Sequence, residues 1–131
     1  MQFPAITACL AAFFALFMVM LSGLTSLRRA TLHVTHGDGG DDVLRRRIRA
    51  HGNFIEYAPF AVILTGLIAL SGAPRTFMML LALAMGFARL AHAAGMLYTS
   101  GPALRAVAML VQHSAFVFGA IVLLKGAFYF S

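Results

Sequence analysis

Between Phe3 and Leu27 the chain runs for 25 residues without a charge. About 20 apolar residues suffice to cross a ~30 Å hydrocarbon core. Three further apolar runs follow, at about 49–70, 75–97 and 104–128, the second with a water-exposed helical extension that makes its helix about 42–70. In lipid, backbone polar groups must be satisfied within the spanning segment, so each run implies a helix. Composition agrees: 61% of the 131 residues are hydrophobic and 11% charged, against ~45–50% and ~25% in soluble domains. Ser71-Gly72-Ala73-Pro74 and Thr99-Ser100-Gly101-Pro102 are short turns that force neighbouring helices antiparallel. The expected architecture is an all-α membrane protein, an up-down four-transmembrane-helix bundle forming one unit over residues 1–131. The first run is read as a span and not a cleaved leader, because its positive charges, Arg28 and Arg29, follow it.

Ten Lys/Arg against four Asp/Glu give a formal charge of +6. The basic residues cluster between apolar runs, not on a soluble face, so no nucleic-acid partner is expected. Arg28, Arg29, Arg45, Arg46, Arg47 and Arg49 lie in or beside the first connection, and Arg105 lies on the same side. Only Arg75 and Lys125 lie opposite. The positive-inside rule then makes the arginine-rich side cytoplasmic and both termini external. Those arginines also suit anionic lipid headgroups. Cys9 is the only cysteine and cannot form an internal disulfide. His33 and His36 have no acidic or cysteine neighbour at ligand spacing, so no metal site is expected.

The informative residues are polar ones inside apolar segments. Arg45, Arg49, Asn53 and Glu56 are spaced 4, 4 and 3, placing them along one side of the second helix. Met85, Arg89, His92 and Met96 mark a side of the third, which runs the other way. An ionised residue at the membrane centre costs roughly 2.5–3.5 kcal/mol, and pairing is the usual remedy. Glu56 and Arg89 fall at similar depth and are expected to face each other. Such a pair can simply clamp two helices. With Asn53, His92, Arg49 and Tyr57 around it, it can also line a ligand cavity. Gln112 and His113 suit interhelical hydrogen bonds. Asp41 or Asp42 suits the N-cap of the second helix, after the turn His36-Gly37-Asp38-Gly39-Gly40.

The stretch Arg46 to Pro59 reads Arg-x-x-Arg-Ala-His-x-Asn-x-x-Glu, then Pro. It resembles the second helix of the MAPEG family, the membrane-associated proteins in eicosanoid and glutathione metabolism. The small bacterial branch is most similar, through its Gly-Asp-Gly-Gly turn and Arg-Ala-His-Gly-Asn-Phe-x-Glu-Tyr. Leu27-Arg28-Arg29, Arg89-Leu90-Ala91-His92 and Arg105 match as well. The resemblance implies a homotrimer that binds glutathione as cosubstrate at subunit interfaces and attacks a lipophilic small-molecule electrophile. Carried over by position, Arg49, Asn53, Glu56 and Tyr57 would hold glutathione, with Arg28, Arg89 and His92 nearby. Arg105 and Arg29 would serve the thiolate. The chain departs from other branches at Gly52, Met96 and Ala106, where an arginine, a tyrosine and a serine occur. A second reading is therefore a non-catalytic protein of this fold that binds another anionic small molecule or lipid.

Overall fold

The computed structural model describes residues 4–99 and 101–129, with side chains to 127. Four helices form in chain order: α1 Ala5–Leu32, α2 Asp42–Leu70, α3 Arg75–Tyr98 and α4 Ala103–Tyr129. All four are long and apolar enough to cross a membrane. The four-helix membrane bundle expected from the sequence is thus the observed fold. Phe3 and Ser100, expected at the start of the first span and within the third turn, lie outside the described residues.

The first helix extends beyond the expected end at Leu27. Arginine does not interrupt a helix, so α1 continues through Arg28 and Arg29 to Leu32, about 7.5 Å further at 1.5 Å per residue. It stops at His33, which adopts a left-handed conformation with φ 56°. The amide of Val34 there donates to the Arg29 carbonyl at 3.1 Å, the usual way to satisfy last-turn carbonyls. The following turn uses Gly37, Gly39 and Gly40 at positive φ, where a Cβ is disfavoured. Asp41 then caps α2, its carboxylate accepting from the Leu44 amide at 2.6 Å. Pro59 lies inside α2, which continues through it at the loss of one backbone donor.

α1 and α2 each bury one stripe, whereas α3 is buried more widely around its circumference. On α1 the buried residues are Thr7, Leu10, Phe14, Phe17, Leu21 and Thr25, spaced three and four apart as one helical face requires. Phe54 of α2 meets this stripe edge-on, its ring centroid 5.4 Å from Phe14 and 5.2 Å from Phe17, a favoured aromatic geometry. Thr25 and Thr65 return their hydroxyls to carbonyls four residues back, so these buried polar groups are satisfied within their own helices. The outward faces are apolar: Leu16, Val19, Phe60, Leu83, Phe118 and Leu124 are all exposed. A soluble monomer does not present such a surface; acyl chains are its solvent.

Polar contacts pin the arginine-rich end. Arg28 grips Asp41 through two bonds, Nε to Oδ1 at 3.2 Å and Nη2 to Oδ2 at 2.7 Å. Arg45 joins Asp38 at 2.6 Å and Asp42 at 2.8 Å. Arg47 donates to the Leu24 carbonyl at 2.6 Å. The start of α2 is thereby tied to the end of α1. The Arg28 guanidinium holds the Asp41 carboxyl below its ordinary value, and Arg45 does the same to Asp38.

Candidate functional site

Arg89 sits near the middle of α3, 2% exposed, and is the most voluminous fully buried side chain. Three helices converge on it. Its Nε donates to Gln112 Oε1 of α4 at 3.0 Å, and its Nη1 donates to Asn53 Oδ1 of α2 at 2.8 Å. Its Nη2 points at the Met109 sulfur, 3.5 Å away. The guanidinium also lies over the Tyr57 ring, 4.6 Å from the centroid, a cation–π contact. Tyr57 in turn stacks on Phe116 and places its hydroxyl 3.4 Å from His113 Nε2. The interhelical role expected for Gln112 and His113 is realised here.

The expected ion pair between Glu56 and Arg89 is absent among the described residues. Arg89 is solvated by neutral acceptors, and Glu56 is exposed on the outer face of α2. Helical geometry explains the correction. Residues four apart nearly superimpose, so Asn53 and Tyr57 share the face that meets Arg89. Glu56, three after Asn53, is rotated by about 60° from it. That rotation aligns Glu56 with Arg49 and Ile63 at seven-residue spacing, and all three are exposed.

Two amides are oriented by these contacts. A guanidinium only donates, so Asn53 and Gln112 must turn their oxygens to Arg89. The Asn53 amide nitrogen, on a half-buried side chain, is left for another acceptor. The Gln112 nitrogen is buried without a partner among the described residues.

His92, one turn from Arg89 on α3, is buried. Arg105, near the start of α4, is half-buried and donates to the Met96 sulfur at 3.3 Å. Thioether sulfur is a weak acceptor, so among the described residues most of this guanidinium's donors have no strong acceptor. Gly95 permits the approach: a Cβ there would stand 2.8 Å from Arg105 Cγ. Arg28 is taken up by Asp41, and Arg29 donates to the Thr35 carbonyl at 3.3 Å. Asn53, Tyr57 and Arg89 therefore form one cluster with Gln112, while Arg49 and Glu56 stand outside it on the surface. Met109 was not anticipated; nothing in its spacing distinguishes it from the chain's other methionines.

The sequence profile of the MAPEG family matches residues 6–125, nearly the whole chain and all four helices. The chain belongs to the MAPEG family. Relatives include the inner membrane protein YecN of Escherichia coli K12 and its counterpart in Escherichia coli O6:H1. Each is 31% identical over 87 residues, covering 66% of this chain and 66% of the relative. The aligned region thus spans just under two thirds of those proteins. As a MAPEG protein with four spans and an apolar outer face, the chain is an integral membrane protein.

Proposed function

We propose that this MAPEG protein is a glutathione-dependent transferase or peroxidase acting on a lipophilic electrophile. It would work as a homotrimer in a bacterial inner membrane, with its arginine-rich end in the cytoplasm. One observation carries the reading: Glu56, a carboxylate within a membrane-spanning helix, is exposed on its outer face. It lies about 10 Å along the helix from Arg49, and a carboxylate facing acyl chains is costly. A neighbouring subunit and a polar ligand between the subunits remove that cost.

The residues suit glutathione by charge. Its two carboxylates match the exposed Arg49 and the Asn53 amide, and its ammonium matches Glu56. Arg89 acts behind them: by fixing Asn53 and Tyr57 it positions the face that meets the ligand. Glutathione supplies a thiol as nucleophile. Arg105 beside that sulfur would favour the thiolate, since a neighbouring cation lowers a thiol pKa from about 8.5. The apolar cosubstrate would enter laterally from the bilayer.

Titration of the purified protein with millimolar glutathione tests this. Binding with a rise in thiolate absorbance is expected, the absorbance alone being lost in Arg105→Ala and binding being lost in Glu56→Gln. No binding at millimolar glutathione would end the proposal. The neighbour of Arg105 is the Met96 sulfur and not a hydroxyl, which favours a second reading, a non-catalytic protein binding another anionic molecule. A tightly held lipid that glutathione cannot displace would support that reading instead.

A further inference from the structure

At the bundle end opposite the arginine-rich loop, two adjoining cavities remain outside the site described above. One, of about 270 Å³, lies among the starts of α1 and α3 and the end of α2, where Thr7, Ala73 and Arg75 line it. The other, of about 630 Å³, is an apolar groove between α1 and α3 lined by Cys9, Phe13, Ala82, Leu83, Gly86 and Leu90. Both are lined by Ala5, Ile6 and Arg75, so a polar head cavity adjoins an apolar tail groove in one depression of the surface.

The head is chemically incomplete. Thr7 lines the cavity at 7% exposure, and its buried hydroxyl oxygen finds no hydrogen-bond partner among the described residues. α3 begins after Pro74 without a side-chain cap, leaving first-turn amides available to an anion. Arg75 stands in the same turn, exposed, with no ion pair among the described residues. These three independent features all favour one negatively charged oxygen group. The tail runs from Arg75 to Leu90 along α3, roughly 22 Å at 1.5 Å per residue. One leaflet contributes about half of a ~30 Å hydrocarbon core, so the groove is long enough for one acyl chain. Small residues at Cys9, Ala82 and Gly86 keep it open.

We propose that this depression is a binding site for an acidic phospholipid, its phosphate at Arg75 and the Thr7 hydroxyl and one acyl chain in the α1–α3 groove. A bare carboxylate would leave the head cavity largely empty, whereas a phosphodiester headgroup occupies it. The site is separate from the Arg89 cluster, so it is independent of the glutathione reading.

The test uses the full chain in nanodiscs of phosphatidylcholine doped with phosphatidylglycerol carrying a photoreactive acyl chain. Cross-links are expected on α1 residues 5–13 and α3 residues 75–90. Native mass spectrometry should show phosphatidylglycerol retained over phosphatidylcholine. Arg75→Gln should weaken that retention ~5-fold, matching the ~1 kcal/mol of one cation near an anionic surface, and Arg75→Lys should restore it. Gly86→Leu gives a second, foldable probe. Its Cβ meets Phe13 and Leu10 at 3.8 and 4.0 Å, an ordinary contact, and the rest of the side chain enters the groove and should displace the lipid. Equal retention of both phospholipids, cross-links spread evenly over all four helices, or displacement of phosphatidylglycerol by palmitate would each overturn the proposal.

Discussion

The contact between Arg89 and Gln112 allows a quantitative test of how the bundle tolerates a buried guanidinium. In Gln112→Leu the Arg89 Nε loses its acceptor at 3.0 Å, but the orphan nitrogen of Gln112 is removed as well. In Arg89→Met both Gln112 Oε1 and Asn53 Oδ1 lose their donor. Hydrogen bonds to charged groups contribute ~1.5–3 kcal/mol in soluble proteins. Double-mutant cycles inside membranes average only ~0.6 kcal/mol and reach ~1.7. Gln112 is 0% exposed and Arg89 2%, so neither water nor lipid can substitute, and the coupling should sit near the upper membrane value, about 1.5 kcal/mol. Each single variant should lose ~2 kcal/mol, and the double should lose less than their sum by that coupling. Reversible unfolding in mixed detergent micelles measures all four corners. Additivity within ~0.5 kcal/mol would refute the claim that Gln112 holds Arg89.

Three further outcomes follow from the geometry. In Gly119→Ala the new Cβ would stand 2.8 Å from Leu64 Cδ2 and 3.3 Å from Ile68 Cδ1; the same unfolding assay should show an overpacking loss of ~1–3 kcal/mol. Gly95→Ala displaces Arg105, with Cγ at 2.8 Å and its backbone nitrogen at 3.4 Å, so the glutathione thiolate signal should fall while glutathione binding, read by the same titration, is retained. Asp41 has its pKa lowered by Arg28 and by the Leu44 amide, so its contribution is present above the unfolded value near 4 and disappears as pH falls through the lower folded value. Protection of the Leu44 amide, corrected for intrinsic exchange, should therefore hold from neutral pH to about 4 and collapse below, a dependence that Asp41→Asn removes.

Some of the site was visible in the chain and some was not. Asn53, Tyr57, Arg89 and Gln112 could be singled out because a polar residue within an apolar span needs a reason. Their partners could not be read the same way. Opposite charge at equal depth suggested Glu56 for Arg89, yet depth fixes only the position along the helix axis. Rotation about that axis decides which residue faces inward, and it is set by the packing of Ala50, Phe54, Ala58 and Ala61 against the neighbouring helices. The Arg28–Asp41 bridge was hidden for a related reason: it depends on α1 running past Leu27 and on where a glycine-rich turn returns the chain.

The lengths of the apolar runs, the short turns and the spacing of Arg49, Asn53 and Glu56 are properties of the chain alone, and they determined four helices, their antiparallel order and the family. Those features follow from local chemistry and length, which need no neighbour. Only the packed bundle decided that neutral amides and a tyrosine ring surround Arg89 while Glu56 faces outward. A buried charge settles on the acceptors that interhelical packing brings within reach, and that packing is a property of three helices together.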